Sequence, residues 1–294
     1  MYALAKDLQP DLIDPLVRNE ITAPDGIKFS VSCFAGEGWS LRNMYEPQDA
    51  YKHADFALQL ANAFMSVGAE DVYAPTPGFN GEVVLRSDLS TMIRLPHERY
   101  LYRNPAVPAD ACHLSKRGDA GVFSAGGCGI VLAAYGQDLI FAHAGRETIL
   151  DRLEVLTHGK EKNRQRTFVD NLLSGLGGEN ADPKKLHVWP MYFMGPDEFV
   201  HHLVTDNPDH SLYSRSAREY LPQRYPGKYG WKEQEAIGID LARILQTQLL
   251  ERGVPSKNVH MEHYRLHRAL PTTRNGGGAH GRYLVVAVRH NSPK

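Results

Sequence analysis

The stretch from Gly126 to Glu147 constrains this chain more than any other. It reads Gly-Gly-Cys-Gly, then the apolar run Ile130–Tyr135, then the turn Gly136-Gln137-Asp138. A second apolar run follows, and it ends on His143-Ala-Gly-Arg-Glu. Two short apolar runs around a glycine-containing turn predict a β-hairpin. Pairing symmetrical about that turn brings Cys128 and His143 to the open end, close enough to be cross-strand neighbours. Cysteine beside histidine is the minimum for an activated thiolate, and equally for two ligands of a soft metal.

Composition narrows the class of protein around that pair. The chain has 294 residues, 42% hydrophobic and 23% charged, which suits a soluble globular protein with a sizeable core. Its 33 basic and 34 acidic residues give a net charge of −1, which argues against an electrostatically driven nucleic-acid binder. No apolar run approaches the roughly 20 residues needed to span a bilayer, and Met1–Leu8 is too polar for a signal peptide. Cys33, Cys112 and Cys128 are odd in number and widely spaced, as expected of free thiols in a reducing compartment. A cytoplasmic protein without nucleic-acid or membrane partners is the expectation.

In chain order, residues 1–26 read as an N-terminal arm, and residues 27–294 as a single domain. Ile27–Cys33 alternates as a strand, and Asp49–Gly68 carries apolar residues at helical spacing. Asp71–Ala74 and Glu82–Leu85 read as short strands. Residues 87–118, polar and interrupted by Pro96, Pro105 and Pro108, read as a long irregular connection. Asp119–Ser124 is a strand entering the hairpin, and Glu147–Leu156 a helix leaving it. The tract Lys160–Arg166 reads as a solvated helix face, followed by a helix that stops at Gly175. Leu186–Met191 predicts a strand, and Gly195–Glu198 a turn with the acidic first turn of a helix. Residues 205–233 suggest a surface excursion, and Gln234–Arg252 a long amphipathic helix. Val259–Tyr264 and Tyr283–Val288 complete the strands. The alternation predicts an α/β fold of the α+β type, with two mixed sheets packed together and helices outside.

These pieces resemble the YfiH-type laccase-domain family, also called multicopper-polyphenol-oxidoreductase-like. Its wider superfamily includes the cytotoxic-necrotizing-factor and CheD-type Cys–His deamidases. The family's early serine-leucine-asparagine segment looks like Ser40-Leu-Arg-Asn43. Its His-Gln-Val-His-Gly signature falls on Pro77-Gly-Phe-Asn80-Gly81, and its Ala-Asp-Ala segment on Ala109-Asp110-Ala111. Its Thr-Ala-Asp-Cys becomes Ala125-Gly126-Gly127-Cys128, and its His-Ala-Gly-Trp-Arg-Gly becomes His143-Ala144-Gly145-Arg146-Glu147. A Gly-Pro turn matches Gly195-Pro196, and the late Leu-Asp-Leu helix with its Gly-Val-Pro turn matches Ile239–Leu241 through Gly253–Pro255. Arg274-Asn275-Gly276 and His280-Gly281-Arg282 look like the C-terminal elements. The match runs in order from about residue 27 to 289, with no motif intact.

What the resemblance implies is a cysteine-hydrolase fold and a site at Cys128 and His143. Family members hold a metal, usually zinc, with a histidine of the early signature, the motif cysteine and the motif histidine. They resemble purine nucleoside phosphorylases and adenosine deaminases. Here Asn80 stands at the first ligand position, and an amide is a poor zinc ligand. Without that ligand, no cofactor is expected; zinc, if held, would need Cys128, His143 and a substitute from His97 or His113. What survives is a deamidase-type pair, in which His143 takes the Cys128 proton and the thiolate attacks an amide carbonyl. Asn80 or Ser124 would orient the pair. Gly127 and Gly129 would let backbone N–H groups approach the substrate, and Arg146, Arg274 and Arg282 would contact its anionic parts. The substrate expected is a small nucleoside or amide, or a protein glutamine. Metal-assisted nucleoside phosphorolysis, or a non-catalytic ligand- or partner-binding role, stand as alternatives.

Overall fold

The burial pattern of the strands decides how the chain is layered. The computed structural model describes residues 12–35, 54–85, 88–233, 235–266, 270 and 283–290. Its strands are β1 (Val17–Thr22), β2 (Lys28–Ala35), β3 (Asp71–Tyr73), β4 (Val83–Val84), β5 (Thr91–Leu95), β6 (Arg99–Arg103), β7 (Ala111–His113) and β8 (Ala120–Ala125). They continue with β9 (Gly129–Tyr135), β10 (Asp138–Ala144), β11 (His187–Met191), β12 (Val200–His202), β13 (Tyr229–Glu233), β14 (Ala236–Ile239) and β15 (Tyr283–Arg289). The helices are α1 (Ala54–Ser66), α2 (Arg146–Ile149), α3 (Arg152–Leu156), α4 (Phe168–Gly177), α5 (Pro208–Arg224) and α6 (Leu241–Glu251).

Strands such as β2 and β15 are buried on both faces along nearly their whole length, so they must lie inside a stack. β1 alternates half-buried and exposed residues, as an outer strand does. The first sheet has seven strands in the order β1-β2-β15-β8-β3-β6-β5, and the second has five in the order β11-β9-β10-β7-β4. Both are mixed: β3 runs parallel to β6 and β8, and β4 parallel to β7. One face of the seven-stranded sheet packs Phe34, Val122, Leu284 and Val286 on Leu60 and Phe64 of α1. Its other face packs Phe29, Phe123 and Val285 against Leu132, Phe141 and Trp189 of the five-stranded sheet. The far side of that second sheet carries Phe168 and Leu172 of α4 and Ile244 and Leu245 of α6. The expected α/β architecture with two packed mixed sheets is therefore the observed one, and its layers run helix, sheet, sheet, helix.

Several local expectations are corrected. Part of the N-terminal arm is β1, hydrogen-bonded along β2. The connection at 87–118 contains β5, β6 and β7, whose lengths of three to five residues are too short to show a period. The excursion at 205–233 is mostly α5, capped by the Asn207 side chain and buried through Ser211, Tyr213, Ser214, Ser216, Tyr220 and Leu221. It packs over a third, three-stranded sheet ordered β12-β14-β13. The long helix expected at 234–252 is split: Ile237 and Ile239 belong to β14, and Asp240 caps α6 by accepting from the Arg243 N–H. Glu147–Leu156 divides into α2 and α3, because the Asp151 carboxylate caps the Leu153 and Glu154 N–H groups and restarts the helix. Gly195–Glu198 leads into β12 and not a helix. Val259 and Arg265 form isolated bridges to Val188 and Phe193 and no continuous strand. The early Ser40–Asn43 segment lies outside the described residues, as do Arg274, His280 and Arg282. No helix among the described residues is long and apolar enough to cross a membrane.

Candidate active site

β9 and β10 form the hairpin, with Tyr135 opposite Asp138 and Ala144 opposite Gly129. That register places His143 across from Ile130, so Cys128 sits one step diagonal to it, just before β9 begins. His143 is 4% exposed, and its side chain is hydrogen-bonded to Cys128. The Phe79 and Phe123 rings both have centroids 5.8 Å from its imidazole.

The group that orients His143 is Asp110. The His143 N–H donates to the Asp110 carbonyl at 2.7 Å, which sets the two residues side by side where β7 enters the sheet. Oδ1 of Asp110 lies 3.4 Å from His143 Nδ1. A carboxylate only accepts, so Nδ1 carries the proton and Nε2 is left for the thiol. Asp110 is fully buried, and its charge is balanced by the turn before β4. Its oxygens accept the N–H of Phe79 at 3.2 Å and those of Asn80 and Gly81 at 2.7 Å each. Three successive N–H groups can converge on one carboxylate because Phe79 and Gly81 have φ of +54° and +76°, a backbone nest for an anion. A phenylalanine in that region is strained, and its ring stands 45% exposed at the rim of the site.

Burial opposes ionisation of Asp110, but the hydrogen bond and charge of His143 and the N–H groups of Gly81 and Phe79 outweigh it and hold the carboxyl below its ordinary range. Burial likewise opposes protonation of His143. The Cys128 thiolate, the hydrogen bonds to Asp110 and Cys128 and the Asp110 charge overcome it and raise the imidazole to about 10. The flanking Cys128 and Asp110 side chains therefore favour the imidazolium form of His143 beside an ionised Asp110. Cys33 and Cys112 are buried with thiols pushed far up by desolvation, so Cys128 is the cysteine with partial exposure.

Cys128 opens into a cavity of about 450 Å³ lined also by Gly126, Gly127, Arg146, Glu147, Phe199, His201, His202 and His210. Gly127 has φ of +124°, and a Cβ there would land on Met194 Sδ, so only glycine brings this backbone to the cavity wall. Gly129 is filled from the other side by the Phe193 ring and faces the core. The Arg146 guanidinium lies 4.1 Å over the Tyr213 ring, pairs with Glu147 at 2.9 Å and donates to His201 Nδ1 at 3.2 Å. Tyr283 of β15 donates its hydroxyl to the Cys128 carbonyl at 3.2 Å and ties the cysteine to the seven-stranded sheet.

Two expected orienting residues act elsewhere. The Asn80 side-chain oxygen accepts the Glu82 N–H at 3.0 Å, so only its backbone serves the site. Ser124 shares the face of β8 occupied by Val122, against α1, whereas Phe123 on the opposite face meets His143. The substitutes for a metal ligand are also remote. His113 bonds Asp138 at 3.0 Å near the hairpin turn and lies opposite Ile140, about 10 Å along β10 from His143. His97 sits in a single 3-10 turn between β5 and β6, packed on α1. With Asn80 engaged and Asp110 saturated, the described residues contain no group of three His, Cys, Asp or Glu side chains that could hold a metal ion. These residues do not fit the three-ligand zinc site that the resemblance implies. Asp110, Phe79, Tyr283 and the wall from α5 were not readable as site residues. The sole signal for Asp110 is its place in the Ala109-Asp110-Ala111 segment.

The architecture is the fold of the YfiH-type laccase-domain proteins. The structure is similar to that of YlmD from Geobacillus stearothermophilus, with a TM-score of 0.61 and 16% identity, covering 96% of this chain and 100% of that one. It is similar to a Neisseria meningitidis protein of the DUF152 family, with a TM-score of 0.56 and 14% identity over 93% and 100% of the two chains. The hypothetical protein YfiH of Bacillus licheniformis matches with a TM-score of 0.53 and 13% identity over 89% and 92%. No family model matches the sequence, and no curated protein does.

Proposed function

We propose that this protein is a cysteine hydrolase acting on a carboxamide or a related carbonyl-like centre, through Cys128, His143 and Asp110. The observation that carries the reading is the buried His143 ring, held by Asp110 on one side and hydrogen-bonded to Cys128 on the other. The Cys128 thiolate adds to the carbonyl carbon, and backbone N–H groups of the glycine-rich Gly126–Gly129 segment stabilise the oxygen on which negative charge develops. His143 gives its proton to the departing amine or ammonia, leaving a thioester on Cys128. Water, deprotonated by His143, then adds to the thioester, and the carboxylate product leaves as the thiolate–imidazolium pair is restored. Asp110 keeps the proton on Nδ1 throughout, as the carboxylate of a Ser–His–Asp triad does. Substrate enters by the cavity between Phe79, Phe199 and the histidines before α5 and on it.

The test has two parts. Iodoacetamide alkylation of Cys128 is followed against pH, with release of ammonia or free base from panels of carboxamides, glutamine peptides and nucleosides. Alkylation that stays fast below pH 7, with turnover abolished in Cys128→Ala and His143→Ala, supports the reading. A thiol that titrates near 8.5, as an ordinary cysteine does, sinks it. So would turnover that survives Cys128→Ala.

A further inference from the structure

The nest that holds Asp110 has two sides. Its N–H groups face the carboxylate, so its carbonyls point the opposite way and need donors of their own. Gly81 O accepts from Asn171 Nδ2 of α4 at 3.1 Å, and Asn80 O accepts from Arg164 Nη1 at 3.3 Å. The same Nη1 donates to Thr148 O of α2 at 2.7 Å. One nitrogen therefore bridges the turn before β4 and the segment that follows His143. Arg164 is itself fixed: its backbone N–H donates to Asp151 Oδ2 at 2.8 Å, and its Nε lies 3.6 Å from that oxygen. Only 15% of its side chain is exposed, although its neighbours in the Lys160–Arg166 tract are mostly solvated.

We infer that Arg164 is a positioning residue for the Cys128–His143 pair, acting through the Phe79–Gly81 turn by holding its three N–H groups closed on Asp110. This inference rests on the cysteine-hydrolase reading. A planar guanidinium suits the task, since Nη1 offers two hydrogens to two carbonyls while Nε faces a carboxylate. Without it the carbonyl of Asn80 loses its charged donor, the turn rotates toward its unstrained form, and Asp110 loses N–H donors. The proton on His143 is then held less firmly. The titratable groups that face His143 are Asp110 and Cys128, and the cavity beside them adds Arg146, Glu147, His201, His202 and His210.

Iodoacetamide labelling of Cys128, read by peptide mapping across pH 5–10, distinguishes positioning from mere support. In Arg164→Ala the labelling midpoint moves up by about one pH unit, so that labelling on the acid side of the wild-type midpoint slows about tenfold. Should that variant fail to fold, Arg164→Gln is measured instead, since its shorter amide does not reach Asn80 and predicts the same shift. A labelling profile that superimposes on wild type while the melting temperature falls overturns the inference and leaves the hydrolase reading standing. If wild-type Cys128 itself titrates as an ordinary thiol, both fall together.

Discussion

Replacing Asp110 by asparagine separates an orienting carboxylate from one that merely braces a turn. In the native site Oδ1 faces Phe79 N and His143 Nδ1, and Oδ2 accepts from Asn80 and Gly81. An amide has one accepting oxygen. With that oxygen at the Oδ2 position, its NH₂ meets the Phe79 N–H and the His143 Nδ1–H, donor against donor. Each buried donor left without an acceptor costs about 1–3 kcal/mol, so the pair costs roughly 2–6 kcal/mol. In a chain of this size that lowers the melting temperature by on the order of 10 °C. His143 relieves one clash by moving its proton to Nε2, which turns a hydrogen toward Cys128 and removes the base. In a Ser–His–Asp triad the same change costs about ten-thousandfold in turnover. The assay is alkylation of Cys128 at pH 6, with calorimetry alongside. A thiol of pKa near 8.5 is only about 0.3% ionised there, so labelling of Asp110→Asn falls by two orders of magnitude or more. If the variant melts within a degree or two of wild type and labels at the wild-type rate at pH 6, the triad argument is wrong.

Other perturbations follow from the same geometry. Because the carboxyl of Asp110 is held below its ordinary value of 3.8, its contribution to stability is full above that pH and is lost as pH falls through the lower folded value; urea midpoints between pH 5 and 2 should drop less steeply in Asp110→Asn than in wild type. Because His143 is raised to about 10 and gives its proton to the leaving group, turnover should hold up to that pH and fall above it, read from rate profiles carried to pH 11. Gly127→Ala meets Met194 at a positive φ and should cost about 1–3 kcal/mol in denaturant titrations while reducing turnover more than substrate affinity. Leu172→Ala, under the five-stranded sheet, should cost about 2–5 kcal/mol and leave the Cys128 labelling profile of the remaining folded protein unchanged.

How legible all this was in the amino-acid order depends on range. The β9–β10 hairpin, α4 and β15 could be placed because their apolar periods are long and a turn, capping residue or glycine marks their ends. α5 could not, because the face it buries is made largely of serines and tyrosines, with almost no apolar stripe. β14 was absorbed into α6 because Ile237, Leu241 and Leu245 keep a four-residue spacing across the boundary at Asp240. The site divides the same way. Cys128 and His143 are joined by one local turn. Asp110 is 33 residues from His143, and Arg164 is 84 from Asn80, so their roles exist only once β4 and β7 have paired.

The seat of β15 has a consequence for how the chain is made. This strand separates β2 from β8, and its Tyr283 hydroxyl grips the carbonyl of Cys128 across 155 residues of sequence. During synthesis the two halves of the seven-stranded sheet emerge as open edges with a strand-wide gap between them. They wait until the ribosome has delivered the 155 residues that lead from the cysteine to Tyr283. The nucleophile is thus translated long before it is anchored, and a nascent chain stalled short of Tyr283 should carry Cys128 as a common thiol on an unfinished sheet.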